Sequence, residues 1–384
     1  MRREEGGDVD GMALPEDGRA AARRIRLPLC TWQGLLGVVA VMAAGAALVG
    51  EDAEPKGAGG REVAFSGHTG LVDTLRFSAD GRTLLSSGWD KTVRIWGLND
   101  SESEFGEELA RLSTGVEIYS AAISPDGRTV AVAGLDGLSL WDWAGGGGLR
   151  RPSRPVGVSR SIAFSPDGRL LAVGGYDRGI HLIDVQTGRV ESSLPGHRDV
   201  IRKLAFAADG GRLLSLSYDG RFKSWDVASG KESVGFSALD DVKRPILTFA
   251  LSPDGRDMAL SRLHETDGRV EIWDVAAGAL RATCRGAGGE VHALAFSQDG
   301  GVLASCGSDL ALRFWDPKTG RSSGVLEGPM GWIRTLDFSA DGRWMATSCV
   351  PDEVRLRRVG LPRRHVAPAT ANAEGGPSRR ADAA

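Results

Sequence analysis

The sequence predicts an all-β chain, a seven-bladed β-propeller behind a single N-terminal transmembrane helix. Three observations lead there. A five-residue turn pattern recurs seven times at intervals of 41 to 46 residues, the stretches between the turns are short and strand-like, and one uncharged run near the N-terminus is long enough to cross a bilayer.

From Leu27 to Gly50 no residue is charged, and as a helix this run would extend about 36 Å against a hydrocarbon core of roughly 30 Å. Arg19, Arg23, Arg24 and Arg26 precede it, while Glu51, Asp52 and Glu54 follow. The positive flank predicts that residues 1–26 are a disordered cytoplasmic tail and that everything after Gly50 lies outside the cytoplasm. Residues 51–60 are then a linker. A cleaved signal peptide is the rival reading, with Ala44 and Ala46 in a small-residue cleavage pattern; it would leave a secreted or periplasmic protein.

The repeats occupy residues 61–361. The turns are FSADG (Phe77–Gly81), ISPDG (Ile123–Gly127), FSPDG (Phe164–Gly168), FAADG (Phe206–Gly210), LSPDG (Leu251–Gly255), FSQDG (Phe296–Gly300) and FSADG (Phe338–Gly342). Asp-Gly between two apolar runs is hairpin chemistry, because glycine accepts positive φ. The run before each turn alternates, as in VDTLRF (Val72–Phe77), and the run after it is apolar, as in LLAVGG (Leu170–Gly175). A third run ends in Trp, as in KTVRIW (Lys91–Trp96), and a weaker fourth fits the variable stretch that follows. Residues 362–384 are Ala, Pro, Gly and Arg without apolar periodicity, which predicts a disordered tail.

Gly-His opens two of these units, at Gly67-His68 and Gly196-His197, and Trp-Asp closes four, at Trp141-Asp142, Trp225-Asp226, Trp273-Asp274 and Trp315-Asp316. In this the chain resembles the WD40 repeat family, and with its N-terminal segment it looks like a membrane-anchored member of bacterial type. The resemblance implies a hydrogen-bonded set of His, Ser or Thr, Asp and Trp within a blade. Blade one supplies His68, Ser86, Asp90 and Trp96; blade four supplies His197, Ser215, Asp219 and Trp225. Elsewhere Pro155, Ala287 and Pro329 stand in the His place, Ile183 in a Trp place, and Arg357 or Arg358 in the last one. The family also closes its ring with an N-terminal strand, here Arg61–Phe65, beside Glu353–Arg358 of blade seven.

Several chemistries are excluded. A formal net charge of −3 and a pI near 6.1 give no footprint for nucleic acid. Cys30, Cys284, Cys306 and Cys349 form no C-x-x-C, and Cys306 and Cys349 hold nearly equivalent places in the last two repeats, either bridged or, as expected, two buried thiols. The histidines show no ligand spacing, so neither a metal nor a cofactor is expected. His197-Arg198-Asp199 resembles a kinase catalytic loop, but Leu204 stands where that motif needs Asn. Asn99-Asp100-Ser101 forms a glycosylation sequon of a kind that arises often by chance. No catalytic residue is predicted.

What remains is binding. Members of the family usually engage partners across the face bearing the turns between the second and third strands. The residue before the Asp of that turn is Trp89, Leu135, Tyr176, Tyr218, Thr266 and Ser308 in successive units, with Trp332 at the start of the innermost strand of blade seven. Trp89, Tyr176, Tyr218 and Trp332 are the expected partner contacts, since exposed aromatics dominate interfaces. The expected function is a non-catalytic, membrane-tethered protein-interaction scaffold. The alternative is an extracytoplasmic propeller holding a small or cell-wall ligand in its channel. For that, Arg202, Arg334 and His292 are the candidates, and they are scattered.

Overall fold

Six of the seven recurring Asp-Gly turns close a hairpin with the same few hydrogen bonds. In the first, the Gly81 amide donates to the Ser78 carbonyl (2.9 Å), Ser78 Oγ donates to Asp80 Oδ1 (2.6 Å), and the Thr83 amide donates to Ser78 Oγ (3.0 Å). Gly81 has φ +69°, and the glycine of every other such turn lies between +65° and +72°, the region where a Cβ is penalised. The computed structural model describes residues 62–98, 105–233, 245–263, 267–326, 332–349 and 352–359. The expected tail, transmembrane run and linker (1–26, 27–50, 51–60), the sequon and the C-terminal tail (362–384) lie outside these residues. Among the described residues no helix is long and apolar enough to cross a membrane.

The strands form seven antiparallel four-stranded sheets. Blade one runs Val72–Phe77, Thr83–Gly88, Thr92–Gly97 and Glu108–Ser113 in sequence order from the innermost strand outward. The innermost strands of blades two to six are Ile118–Ile123, Ser159–Phe164, Ile201–Phe206, Ile246–Leu251 and Val291–Phe296. Blade seven is ordered Ile333–Phe338, Trp344–Cys349, Glu353–Arg358 and then Glu62–Phe65, so its outer strand comes from the start of the propeller.

Burial explains the sequence pattern of each strand. The second strand of a blade is covered on both faces by neighbouring blades; in Leu170–Gly175 every residue is buried, which is why that run does not alternate. The outer strand Glu108–Ser113 has one wet face and alternates strictly. Seven hydrophobic clusters fill the seven junctions between blades. Fully buried Trp225 and Phe249 anchor two of them, and burial of an aromatic of this size contributes roughly 1.5–3 kcal/mol or more. Five innermost strands carry alanine one residue before the end (Ala122, Ala163, Ala205, Ala250, Ala295), while the two strands meeting at the closure carry Arg76 and Asp337 there.

The seam between blades seven and one is fastened by strand pairing, ring contacts and a hydrogen bond between innermost strands. Glu62–Phe65 pairs antiparallel with Glu353–Arg358 in a register that sets Phe65 against Val354. Phe65 stacks on Trp96 (5.2 Å between ring centroids), and Phe105 packs on Trp344 at 4.9 Å. On the innermost strands the Phe77 amide donates to Asp337 Oδ2 at 3.0 Å. Register also settles which residue takes the Trp place in blade seven. Met345 faces Arg357 as Leu84 faces Trp96, and Arg357 reaches back to Glu62 of the closing strand at 2.6 Å.

Cys284, Cys306 and Cys349 are buried and unbridged. Burial pushes the Cys284 thiol up to about 12 and the other two upward as well, so none is a ready nucleophile.

Blade four departs from the turn pattern. Ala207 replaces the bracketing serine, leaving the backbone bond from Gly210 to Ala207 (2.9 Å) and the Gly211 amide on Asp209 (2.9 Å). Ala207→Ser is therefore expected to restore the missing bonds to Asp209 and to the Arg212 amide, and to stabilise the chain by about 1 kcal/mol. A thermal melt of the variant beside Ser78→Ala, which should lose a similar amount, checks this; no rise for Ala207→Ser would show that the bracket adds nothing there.

Candidate functional site: the turn face of the ring

In blade one the loop before the innermost strand brings His68 down onto the sheet. His68 Nδ1 lies 2.8 Å from Asp90 Oδ2 and its Nε2 lies 2.7 Å from Ser86 Oγ. The Trp96 indole donates to the same Ser86 Oγ at 2.8 Å. Blade four repeats the set: His197 to Asp219 at 3.0 Å and to Ser215 at 2.7 Å, with Trp225 on Ser215 at 2.8 Å. A carboxylate only accepts, so the histidine proton sits on Nδ1 and Nε2 accepts from the serine hydroxyl. Burial, the largest effect, lowers the His68 pKa, and this keeps the ring neutral as the geometry requires. Burial alone would raise Asp219, but hydrogen bonds from His197 and from the Arg198 and Arg221 amides bring it down to about 2.

Ser, His and Asp in this order resemble a hydrolytic triad, yet they cannot act as one. Ser86 and Ser215 are fully buried, and each serine oxygen already accepts an indole N–H. The set fixes the turn that carries the exposed face.

Blades three, five and six hold that turn with substitutes that sequence reading missed. Blade six keeps Trp315 on Ser305 (2.8 Å), and with Ala287 in the His place its turn aspartate, Asp309, takes the Gly288 amide (2.9 Å) and Arg313 instead. In blade five Leu260 replaces the serine and Trp273 donates to Glu271 (3.0 Å), itself paired with buried Arg262 at 3.2 Å. The signal was the charge inside VEIWD, an apolar run whose Glu is buried. In blade three His181 bridges Asp177 (2.6 Å) and Ser193 (2.8 Å). Ser193 is its cross-strand partner, so this is sheet pairing.

The turns themselves share a backbone feature. The residue after the turn aspartate is left-handed in six blades: Gly137, Gly220 and Gly268 in three, but Lys91 (φ +65°), Arg178 (+68°) and Leu310 (+61°) in the others. A side chain in that region costs roughly 1–2 kcal/mol. Strain is thus concentrated on one face of the ring.

That face exposes large apolar groups at one structural position: Trp89 (43%), Leu135 (44%), Tyr176 (42%) and Tyr218 (50%). Ser308 is also exposed, whereas Thr266 lies outside the described residues. The aromatics gather in two groups. At the seam, Trp89 donates to Asp73 (2.5 Å), Asp73 pairs with Arg334 (2.6 Å), and the Arg334 guanidinium lies 5.5 Å from the Trp89 ring and 5.7 Å from the Trp332 ring. Trp332 is half-buried, its Nε1 has no hydrogen-bond partner, and His292 meets its ring edge-on at 5.4 Å. Across blades two to four, Arg160 and Arg202 lie over Tyr218, at 5.5 Å and 4.7 Å. Arg202, Arg334 and His292 are thus engaged with aromatic neighbours in two separate groups and do not converge on one point in the channel. Deeper on the innermost strands, Lys203 donates to Thr248 Oγ1 (3.0 Å) and to the Phe249 carbonyl, tying blade four to blade five. Burial, aided by Arg76 and Arg202, brings its ammonium down to about 7.

Comparison with known proteins agrees with this architecture. A model of the WD domain, G-beta repeat, matches residues 60–97, 188–226, 278–316 and 320–356, and a model described as the anaphase-promoting complex subunit 4 WD40 domain matches residues 122–201. The chain belongs to the WD40 repeat family. Neither model matches the core of blade five, where the Arg262–Glu271 pair has displaced the usual set. Periodic tryptophan protein 2 of Arabidopsis thaliana is 27% identical over 64% of this chain and 24% of its own length. The ribosome biogenesis protein WDR12 homolog of Chlamydomonas reinhardtii is 29% identical over 60% and 50%, and apoptotic protease-activating factor 1 of mouse 27% over 63% and 18%. The chain therefore spans half or less of the length of these relatives. All three are eukaryotic and lend no support to the bacterial-type expectation. WD40 propellers are in general non-catalytic and bind other proteins.

The buried set makes a prediction for stability. Ser86→Ala strands the Trp96 indole and the His68 ring and should cost about 2–3 kcal/mol in chemical denaturation. His68 and Asp219 both have folded pKa values below their ordinary ones of 6.5 and 3.8, so their contribution is complete above those values and is lost as pH falls. Stability should decline below pH 6.5 and again from 3.8 toward about 2, and Asp219→Asn should shrink only the lower step. A lower step unchanged in that variant would assign it to other carboxylates.

Proposed function

We propose that the chain is a non-catalytic interaction scaffold that engages protein partners across the face bearing the turns between second and third strands. One observation carries this: Trp89, Leu135, Tyr176 and Tyr218 stand exposed at the same turn in four successive blades. Apolar side chains repeated at one exposed position form a patch, and a rigid ring presents it with little ordering cost. Trp332 extends the patch at the seam. Relatives are named for ribosome biogenesis and for protease activation; the repeat is what this chain shares with them, and only the mode of binding is carried over.

The same proposal includes tethering. The uncharged run 27–50, with arginines before it and acidic residues after it, supports a single-pass anchor with the N-terminus cytoplasmic and the propeller beyond the membrane; signal cleavage is the competing outcome.

Two measurements test these readings. In crosslinking pull-downs with the full chain as bait, a partner captured by the natural sequence should be lost with Trp89→Ala/Trp332→Ala or with Tyr176→Ala/Tyr218→Ala; capture that survives both pairs would remove this face from the interaction. The full chain should also stay with membranes after an alkaline carbonate wash at its unprocessed mass, and recovery in the soluble fraction would discard the tether.

A further inference from the structure

We infer that blades two to four of the turn face form a recognition site for an acidic, carboxylate-bearing segment of a partner protein. This rests on the reading of that face as a partner surface and adds the chemistry of what it takes.

The chain contains three tyrosines, and all three are here. Tyr119 stands second on the innermost strand of blade two, and Tyr176 and Tyr218 stand in the turns of blades three and four. Between them lie Arg160 and Arg202, second on the innermost strands of blades three and four. Arg160 is 5.6 Å from the Tyr119 ring and 5.5 Å from the Tyr218 ring, and Arg202 is 4.7 Å from Tyr218.

The equivalent residue of blade seven is Arg334, which provides an internal comparison. Arg334 is neutralised by Asp73 at 2.6 Å, with Trp89 and Trp332 on either hand. Among the described residues, Arg160 and Arg202 have no carboxylate within ion-pair distance, and burial first, then the neighbouring Arg160 charge, lower the Arg202 pKa. Two guanidinium groups on one exposed ring repel each other, and an incoming anion removes that cost. A cation–π contact uses the charge of a guanidinium and not its N–H donors, which can meet the two oxygens of a carboxylate. Arg202 uses one of them, on the Ile246 carbonyl at 3.4 Å.

The surroundings select among anions. Glu117, Asp136, Asp177 and Asp199 are exposed in the loops and turns of the same blades, and the whole chain carries −3. A polyphosphate backbone would have to run past those carboxylates, whereas one or two acidic side chains on a neutral segment would not. The three tyrosines supply apolar area for the rest of such a segment.

The test titrates the full chain into a fluorescein-labelled Gly/Ser peptide with two glutamates, its two-glutamine counterpart, and single-stranded oligouridylate, read by anisotropy. The glutamate peptide is expected to bind about tenfold or more tightly than the glutamine peptide, and to weaken as salt rises. Arg160→Gln/Arg202→Gln should abolish the difference, and Arg160→Lys/Arg202→Lys should keep part of it, since lysine retains the charge without the fork. The glutamate-against-glutamine comparison uses the unaltered chain, so it decides the matter even if the double Gln variant does not fold. Equal binding of both peptides, an undiminished preference in a folded Arg160→Gln/Arg202→Gln chain, or tighter binding of the oligouridylate would each overturn the assignment. If a crosslinked protein partner is lost with Tyr176→Ala/Tyr218→Ala while the two peptides bind alike, the acidic-segment inference fails and the face reading stands.

Discussion

Ring closure is the constraint on which the rest of this structure depends. A four-stranded blade has two open edges and a thin core of its own, and its faces become buried only when a neighbour lies on each side. Seven blades satisfy this for one another only if the last meets the first. Here the meeting rests on a four-residue strand, Glu62–Phe65, that leaves the beginning of the propeller and completes its last blade. The seam compensates for the shortness of that strand. It adds the Phe65–Trp96 stack, and with it the Asp337–Phe77 bond and the Glu62–Arg357 pair, which join residues 260 and 295 positions apart. Because these contacts need nearly the whole chain to be in place, closure is by nature a late step in folding.

Within the closed ring, blades differ in how their turns are held. Blades one and four use hydrogen bonds among a neutral histidine, a serine, a tryptophan and an ionised aspartate, blade five a buried Arg262–Glu271 pair, and blade six an aspartate shared between a backbone amide and Arg313. That set buries one carboxylate, which the histidine Nδ1–H and a backbone amide satisfy in each blade. The Arg262–Glu271 pair in blade five must offset the desolvation of two charged groups. Strain in the turns adds to this unevenness. Lys91 and Arg178 adopt left-handed backbone beside Trp89 and Tyr176, and Lys91 does so in a blade with the full hydrogen-bonded set. A turn that stores strain must be overdetermined by its surroundings, and in blade one His68 and Asp90 supply that.

The parts of this structure that depend on a repeated local requirement were legible in the sequence. Positive φ in each hairpin between first and second strands favours Asp-Gly, and burial on two faces demands an unbroken apolar second strand, so the blade count and strand order follow from the turns and the runs between them. The Gly-His and Trp-Asp positions likewise point to His68, Ser86, Asp90 and Trp96, whose hydrogen-bond distances are those of a closed network. The substitutes were not legible. Glu271 reads as an exposed residue of an alternating strand until the register brings Arg262 and Trp273 to it, and Arg357 was separated from Arg358 only by pairing with Met345. The grouping of Arg160 and Arg202 on Tyr218 was hidden for the same reason: the three lie on adjacent blades, and no local spacing reports which rim position meets which.

The rim position of the innermost strands shows how one place in the repeat can serve two ends. Three blades put arginine there, and the outcome is decided by what the next blade offers. At the seam the neighbour offers Asp73, and the guanidinium is consumed in holding Trp89 and Trp332 in place. Between blades three and four the neighbours offer tyrosine, which stacks without neutralising. An aspartate in the place of Tyr119 would bring a carboxylate toward Arg160, and the like-charge repulsion there would be relieved internally. Leaving it unrelieved sacrifices some stability in the free protein, and that sacrifice is physically reasonable only where an external anion completes the site. The junction that must stay shut is internally neutral, whereas the blades farther round the ring keep their charge for another molecule.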